Sequence, residues 1–174
     1  MMLFKASGET YDRVITQRAH AFRGLPRGFR EHQTVLLSKN RSGMSWCERQ
    51  VQHLARIRTI RKATPAELER FYPGVNAGAR WRYLVELYAV TPLTRQFDLS
   101  QVPGLDAKRY QTVQSYSLFS EAEDLALLQY FRLKNTQAII DILNADPEAE
   151  WPLAAWATGP GLPPSHAARR VAPR

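Results

Sequence analysis

Apolar and polar residues alternate along RQVQHLARIRTI (49–60): Val51, His53, Ala55, Ile57 and Thr59 fall on one side, Gln52, Leu54, Arg56, Arg58 and Ile60 on the other. A period of two over that length predicts a strand. Strands are also expected at 2–7 (MLFKAS), at 33–39 (QTVLLSK) and at 80–93 (RWRYLVELYAVTPL), the last rich in aromatic and β-branched residues and stopped by Pro92. A further alternating or extended stretch covers 110–119.

Elsewhere the period changes to that of a helix. In 8–20 the apolar positions are Tyr11, Val14 and Ile15, and in 64–72 Thr64, Pro65 and Glu67 form a capping-box start. Ser120 caps a helix over 120–133, with Glu121, Glu123 and Asp124 in its first turn and a stripe of Leu125, Leu128 and Phe131. A second amphipathic helix follows over 135–146. Gly and Pro punctuate loops at 21–32 and 73–79, and 97–109 is a connection with one helical turn. About five strands with short interspersed helices make an α+β unit around a curved sheet.

The 174 residues, 44% of them apolar, bound one domain plus an appendage. The reading is a domain over 1–146 and a C-terminal extension over 147–174, Pro-, Gly- and Arg-rich and expected to be disordered. No apolar run approaches a membrane span and the start has no secretory signature, so the expected location is cytoplasmic.

Charge alters the picture more than composition does. Residues 1–62 hold 13 Lys and Arg against 4 Asp and Glu, whereas 63–174 hold 11 against 12. The entire +8 excess is therefore confined to the first third of the chain, which points to an acidic partner, nucleic acid ahead of a membrane surface. There is no phosphate-cradling Gly-rich motif, no paired His or Cys spacing for a metal, and one cysteine, Cys47. Neither cofactor nor metal is implied, and the chain reads as a binder.

The order of elements carries a resemblance. LFKAS leads into a short helix, a basic Gly-rich loop, the strands TVLLSK and LARIRTI, then WRYLVELYAVTPL and VQSYSLFSEAEDLALLQYF. This resembles the PUA-like superfamily, and within it the EVE and YTH branch, across residues 2–131; VTPLTRQFDLSQVPGL and VQSYSLFSEAED match the closing pattern. EHQTV replaces the V-G-D turn of that branch, and Tyr116 stands where an arginine is usual. The resemblance implies a small β-barrel flanked by helices, binding nucleic acid with a modified base in an aromatic-walled pocket. It also places Lys5 and Ser7 at polar contacts to the base and Tyr116, between Ser115 and Ser117, at the pocket wall.

The residues themselves add Trp46, in a loop between strands amid Arg41 and Arg49, and Trp81, between Arg80 and Arg82. Each is either a stacking platform or part of the core. Ser38 and Asn40 leave a strand with groups able to read base edges. Arg23, Arg27, Arg30, Lys39, Arg41, Arg49, Arg56 and Arg58 form the expected phosphate track. The alternative is an RNA- or nucleotide-processing enzyme of ASCH-like type drawing on Lys5, Glu9, His53 and Tyr83, although the G-x-K-x-x-E-x-R signature of that branch is missing. A third reading is a scaffold binding protein through Leu125, Leu128, Ile139 and Ile142.

Overall fold

A computed structural model describes residues 1–25, 27–40, 50–74, 76–111 and 116–147. Trp46, Arg41, Arg49, Ser115 and the expected tail beyond Pro147 lie outside the described residues. The chain runs β1 (Met2–Ser7), α1 (Gly8–Gln17), β2 (Ala19–Phe22), β3 (Thr34–Asn40), β4 (Gln50–Lys62), α2 (Pro65–Phe71), α3 (Ala77–Arg80) and β5 (Tyr83–Asp98). A 3-10 turn (Leu99–Gln101), α4 (Ala107–Gln111), β6 (Tyr116–Leu118), α5 (Glu121–Lys134) and α6 (Thr136–Leu143) complete it.

Six strands form one curled half-barrel sheet in the order β2-β5-β4-β3-β1-β6. β1 and β3 are parallel, Lys5 opposite Ser38 and Ser7 opposite Asn40; the other pairs are antiparallel. Alternate residues feed two separate cores. On one face Met2, Phe4, Val35, Leu37, Ala55 and Ile57 pack with Tyr11 and Val14 of α1. On the other, Leu3, Leu36, Val51 and Leu54 pack with Tyr110, Leu127, Phe131 and Ile142. A third cluster joins Ala19, Ala21 and Leu84 to Leu68, Phe71, Tyr72 and Ala77 of the α2–α3 region. Burying one such Phe or Leu contributes ~1.5–3 kcal/mol.

Several expectations are corrected here. β5 does not stop at Pro92 but continues to Asp98. β2 pairs with only its first four residues, so beyond Glu86 one side of β5 is an edge, where a missing N–H costs no ladder bond. Val51 does not share a face with Ala55 and Ile57, because a bulge between Val51 and His53 inserts one extra residue and reverses the side. Part of the stretch 110–119 is helical, since α4 reaches Gln111 before β6 begins at Tyr116. The loop expected at 21–32 begins two residues later, after β2. On α5 the sheet side carries Glu123, Leu127, Tyr130 and Phe131, leaving Leu125 and Leu128 exposed, so the expected stripe is displaced. No helix among the described residues is long and apolar enough to cross a membrane.

Candidate nucleic-acid interface

The Gly/Pro-rich sequence of residues 23–32 permits many conformations, and packing selects one. Phe29 stacks on Phe4 at 5.3 Å between ring centroids and meets Phe22 and Tyr116 edge-on at 5.5 and 5.1 Å. Tyr116 also lies edge-on to Phe22 at 5.7 Å, so it joins an aromatic cluster at the margin of the sheet. Gly28 has φ +78°, and a Cβ there would approach Leu118 Cδ1 to 2.6 Å. The loop's far end is bonded to β4: His32 N donates to Ile57 O at 2.7 Å, and Ile57 N donates to Gln33 O at 3.0 Å.

That anchoring holds Arg23, Arg27 and Arg30 exposed to solvent, with no acidic partner among the described residues. Two open clefts lie at Arg30 and Arg27. One, of about 500 Å³, is lined by Gly28, Arg30, His32 and Leu118; the other, of about 440 Å³, by Leu25, Arg27, Phe29 and Ile60, with Glu31 bordering both. Beside the loop, Arg56 donates from Nε and Nη2 to His32 O at 2.9 and 2.7 Å. Arg56 and Arg58 each lie 5.7 Å from the centre of the buried Tyr88 ring, whose hydroxyl is 3.0 Å from His32 Nδ1. Both arginines are half-buried, so they extend the positive surface with less freedom than the loop arginines have.

The opposite end of β1, β3 and β4 carries a different set. Tyr11 OH and His53 Nδ1 are 2.6 Å apart. Burial, reinforced by Asp12, pushes the Tyr11 phenol far above its ordinary range, and burial pushes the His53 imidazole down. Both are therefore neutral near pH 7. Lys39 Nζ pairs with Asp12 at 2.9 Å and lies 5.6 Å from the Tyr11 ring centre. This pairing reduces the charge that Lys39 offers to a phosphate.

Other candidates separate. Lys5 and Ser38 are buried on the α5–α6 side of the sheet, and the Lys5 ammonium donates to the carbonyl of Tyr110. Of the four alternative catalytic residues, Lys5 and His53 lie on opposite faces, while Tyr83 is at the far end of β4 opposite Lys62. Trp81 belongs to the third cluster, 4.8 Å from Tyr72, rather than to the rings around Tyr116. Ser117 is half-buried next to Tyr116.

Sequence reasoning missed Phe29 and the Tyr11–His53 pair. The signals existed: Tyr11 is on the apolar side of α1, and the alternation placed His53 beside Ala55. Only the register, Leu37 opposite His53, brings the two together under α1.

No family model matches the chain, and no curated protein matches it. Among solved structures it is similar to ASCH from Zymomonas mobilis, with a TM-score of 0.55 and 14% identity over 74% of this chain and 93% of that one. A serine-to-alanine and a tyrosine-to-phenylalanine variant of the same protein superpose with TM-scores of 0.54 and 0.53, each at 13% identity. Each covers 74% of this chain, and 94% and 96% of those chains. The half-barrel with its flanking helices is thus a fold shared with that ASCH structure.

Proposed function

We propose that this PUA-like domain binds single-stranded nucleic acid, RNA or modified DNA, in the manner of an EVE- or YTH-type reader of one unpaired or modified base. One observation carries the reading. A Gly/Pro-rich loop is fixed by Phe29 and Gly28, yet it presents Arg23, Arg27 and Arg30 with no acidic partner among the described residues, Arg27 and Arg30 each lining an open cleft. Arginines so held fit phosphates, and Tyr116, half-buried and edge-on to Phe29, is the candidate stacking wall for the base.

Two strands that differ only by one modified base test base recognition directly. The modified strand binds more tightly, and Tyr116→Ala erases that difference, with stacking worth ~1–3 kcal/mol per base. Equal affinity for both strands in the unaltered protein contradicts a reader.

The Tyr11–His53 pair favours a second reading, an RNA- or nucleotide-processing enzyme. A neutral imidazole oriented by a phenol at 2.6 Å has the form of a general base. Labelled RNA incubated with the protein, with and without EDTA, separates the readings. Cleavage abolished by His53→Ala and reduced by Tyr11→Phe supports an enzyme, and intact bound RNA supports the binder.

A further inference from the structure

β2 ends at Phe22, β4 ends at Lys62 and β5 begins at Tyr83, and the register places Tyr83 opposite both. Three strand ends therefore meet at one margin. The chain between α3 and β5 is stitched across them: Arg82 N donates to Phe22 O at 2.9 Å and Ala63 N to Arg82 O at 3.0 Å. A cavity of about 340 Å³ opens there, walled by Lys62, Pro65, Gly78, Trp81, Arg82 and Tyr83.

Its chemistry differs from that of a packed hollow. Trp81 is half-buried, backed by Tyr72 at 4.8 Å, with the Arg80 guanidinium 5.9 Å from its ring centre. Lys62, Arg80 and Arg82 are exposed and have no acidic partner among the described residues. The neighbouring acids are engaged elsewhere. Glu67 and Glu86 hold Arg61 at 2.9 and 2.8 Å, and Glu69 accepts from Gly78 N at 3.1 Å. The floor is fixed as well, because a Cβ on Gly78 would come within 2.6 Å of Pro65 Cβ and 2.8 Å of its Cα. The margin continues to the arginine loop: Arg23 follows Phe22, and Ile60, two residues before Lys62, lines the cleft that contains Arg27.

We propose that this cavity is a second nucleobase subsite. A base of a single strand stacks on Trp81, and Lys62 and Arg82 hold the adjoining phosphates. The proposal rests on the nucleic-acid-binding function above and extends the strand's path past the loop of residues 23–32. Its size lies within the ordinary range of ligand pockets, ~300–1,000 Å³.

The test is anisotropy of a labelled single-stranded RNA of roughly 16 nucleotides, titrated with the full chain over a range of salt. Trp81→Ala weakens binding by about tenfold or more, while Trp81→Phe retains most of the affinity. A Lys62→Ala/Arg82→Ala double variant, altered only at exposed side chains, lowers the slope of log affinity against log salt by about 1.4, two phosphate contacts' worth. Unaltered binding and slope in that double variant, with Arg27→Ala still weakened, overturns this subsite and leaves the general function standing. If the unaltered protein binds no strand, both fall. Adenosine monophosphate binding as tightly as the strand would make the cavity a free-nucleotide site and overturn the strand path.

Discussion

His20 is 7% exposed, its ring 4.6 Å from that of Phe22 and 5.8 Å from that of Phe4. Nδ1 is 3.3 Å from Tyr72 OH. Burial disfavours the imidazolium and holds the group down at about 4, against 6.5 for a free histidine. The unfolded chain therefore binds a proton first. The stability that His20 contributes is complete above pH 6.5 and is lost as pH falls to about 4, on the order of 3 kcal/mol. His53, also lowered by burial, acts in the same direction. Chemical denaturation at intervals across that window shows a steep loss for the unaltered protein and a shallower one for His20→Leu. An identical slope in the variant would contradict the assignment. At the alkaline limit the buried Tyr72 phenol, pushed up to about 12, acts oppositely: its contribution is complete below 10 and lost as pH rises through 12.

α5 is an element whose start is written in its first residues. Ser120 Oγ accepts from Glu123 N at 3.3 Å, and Glu123 Oε2 accepts from Ser120 N at 2.7 Å. The same carboxylate is 3.3 Å from Arg109 Nη1 and borders Tyr110, so the cap also ties α4 to α5. Ser120→Ala lowers unfolding free energy by about 1 kcal/mol, read by chemical denaturation. Glu123→Ala costs more, because it releases Arg109 as well. Helix starts and long alternating strands were legible because local chemistry decides them: Thr64 and Glu67 do the same for α2. Side-chain faces were less so. Two groups of β4 residues differ by one bulge, and Ala89 at φ +50° marks another irregularity that no local pattern announces. The continuation of β5 past Pro92 depends on what lies beside it, which is a tertiary fact. The candidate site was half legible for the same reason. The arginines of residues 23–30 could be read as a cluster, but Phe29's place against Phe4 and Trp81's against Tyr72 follow from how separate elements meet.

Across the molecule, charge and architecture fall into register. The basic first third of the sequence supplies β1 to β4, α1 and the loop of residues 23–32, and the near-neutral remainder supplies β5, β6 and α2 to α6. Arg56 and Arg58 lie beside that loop, and the margin beyond it adds Lys62, Arg80 and Arg82. Gly28→Ala tests whether the loop must be held as it is. A Cβ at φ +78° against Leu118 displaces Phe29, so binding weakens several-fold while the thermal midpoint moves by only a few degrees. The most direct measurement is the salt dependence of single-stranded RNA binding by the unaltered protein and by Arg23→Ala, Arg27→Ala and Arg30→Ala. The account predicts affinity falling steeply with salt, and a log–log slope reduced by about 0.7 for each arginine removed. Binding that ignores salt, or a slope unchanged when all three are replaced, would contradict it.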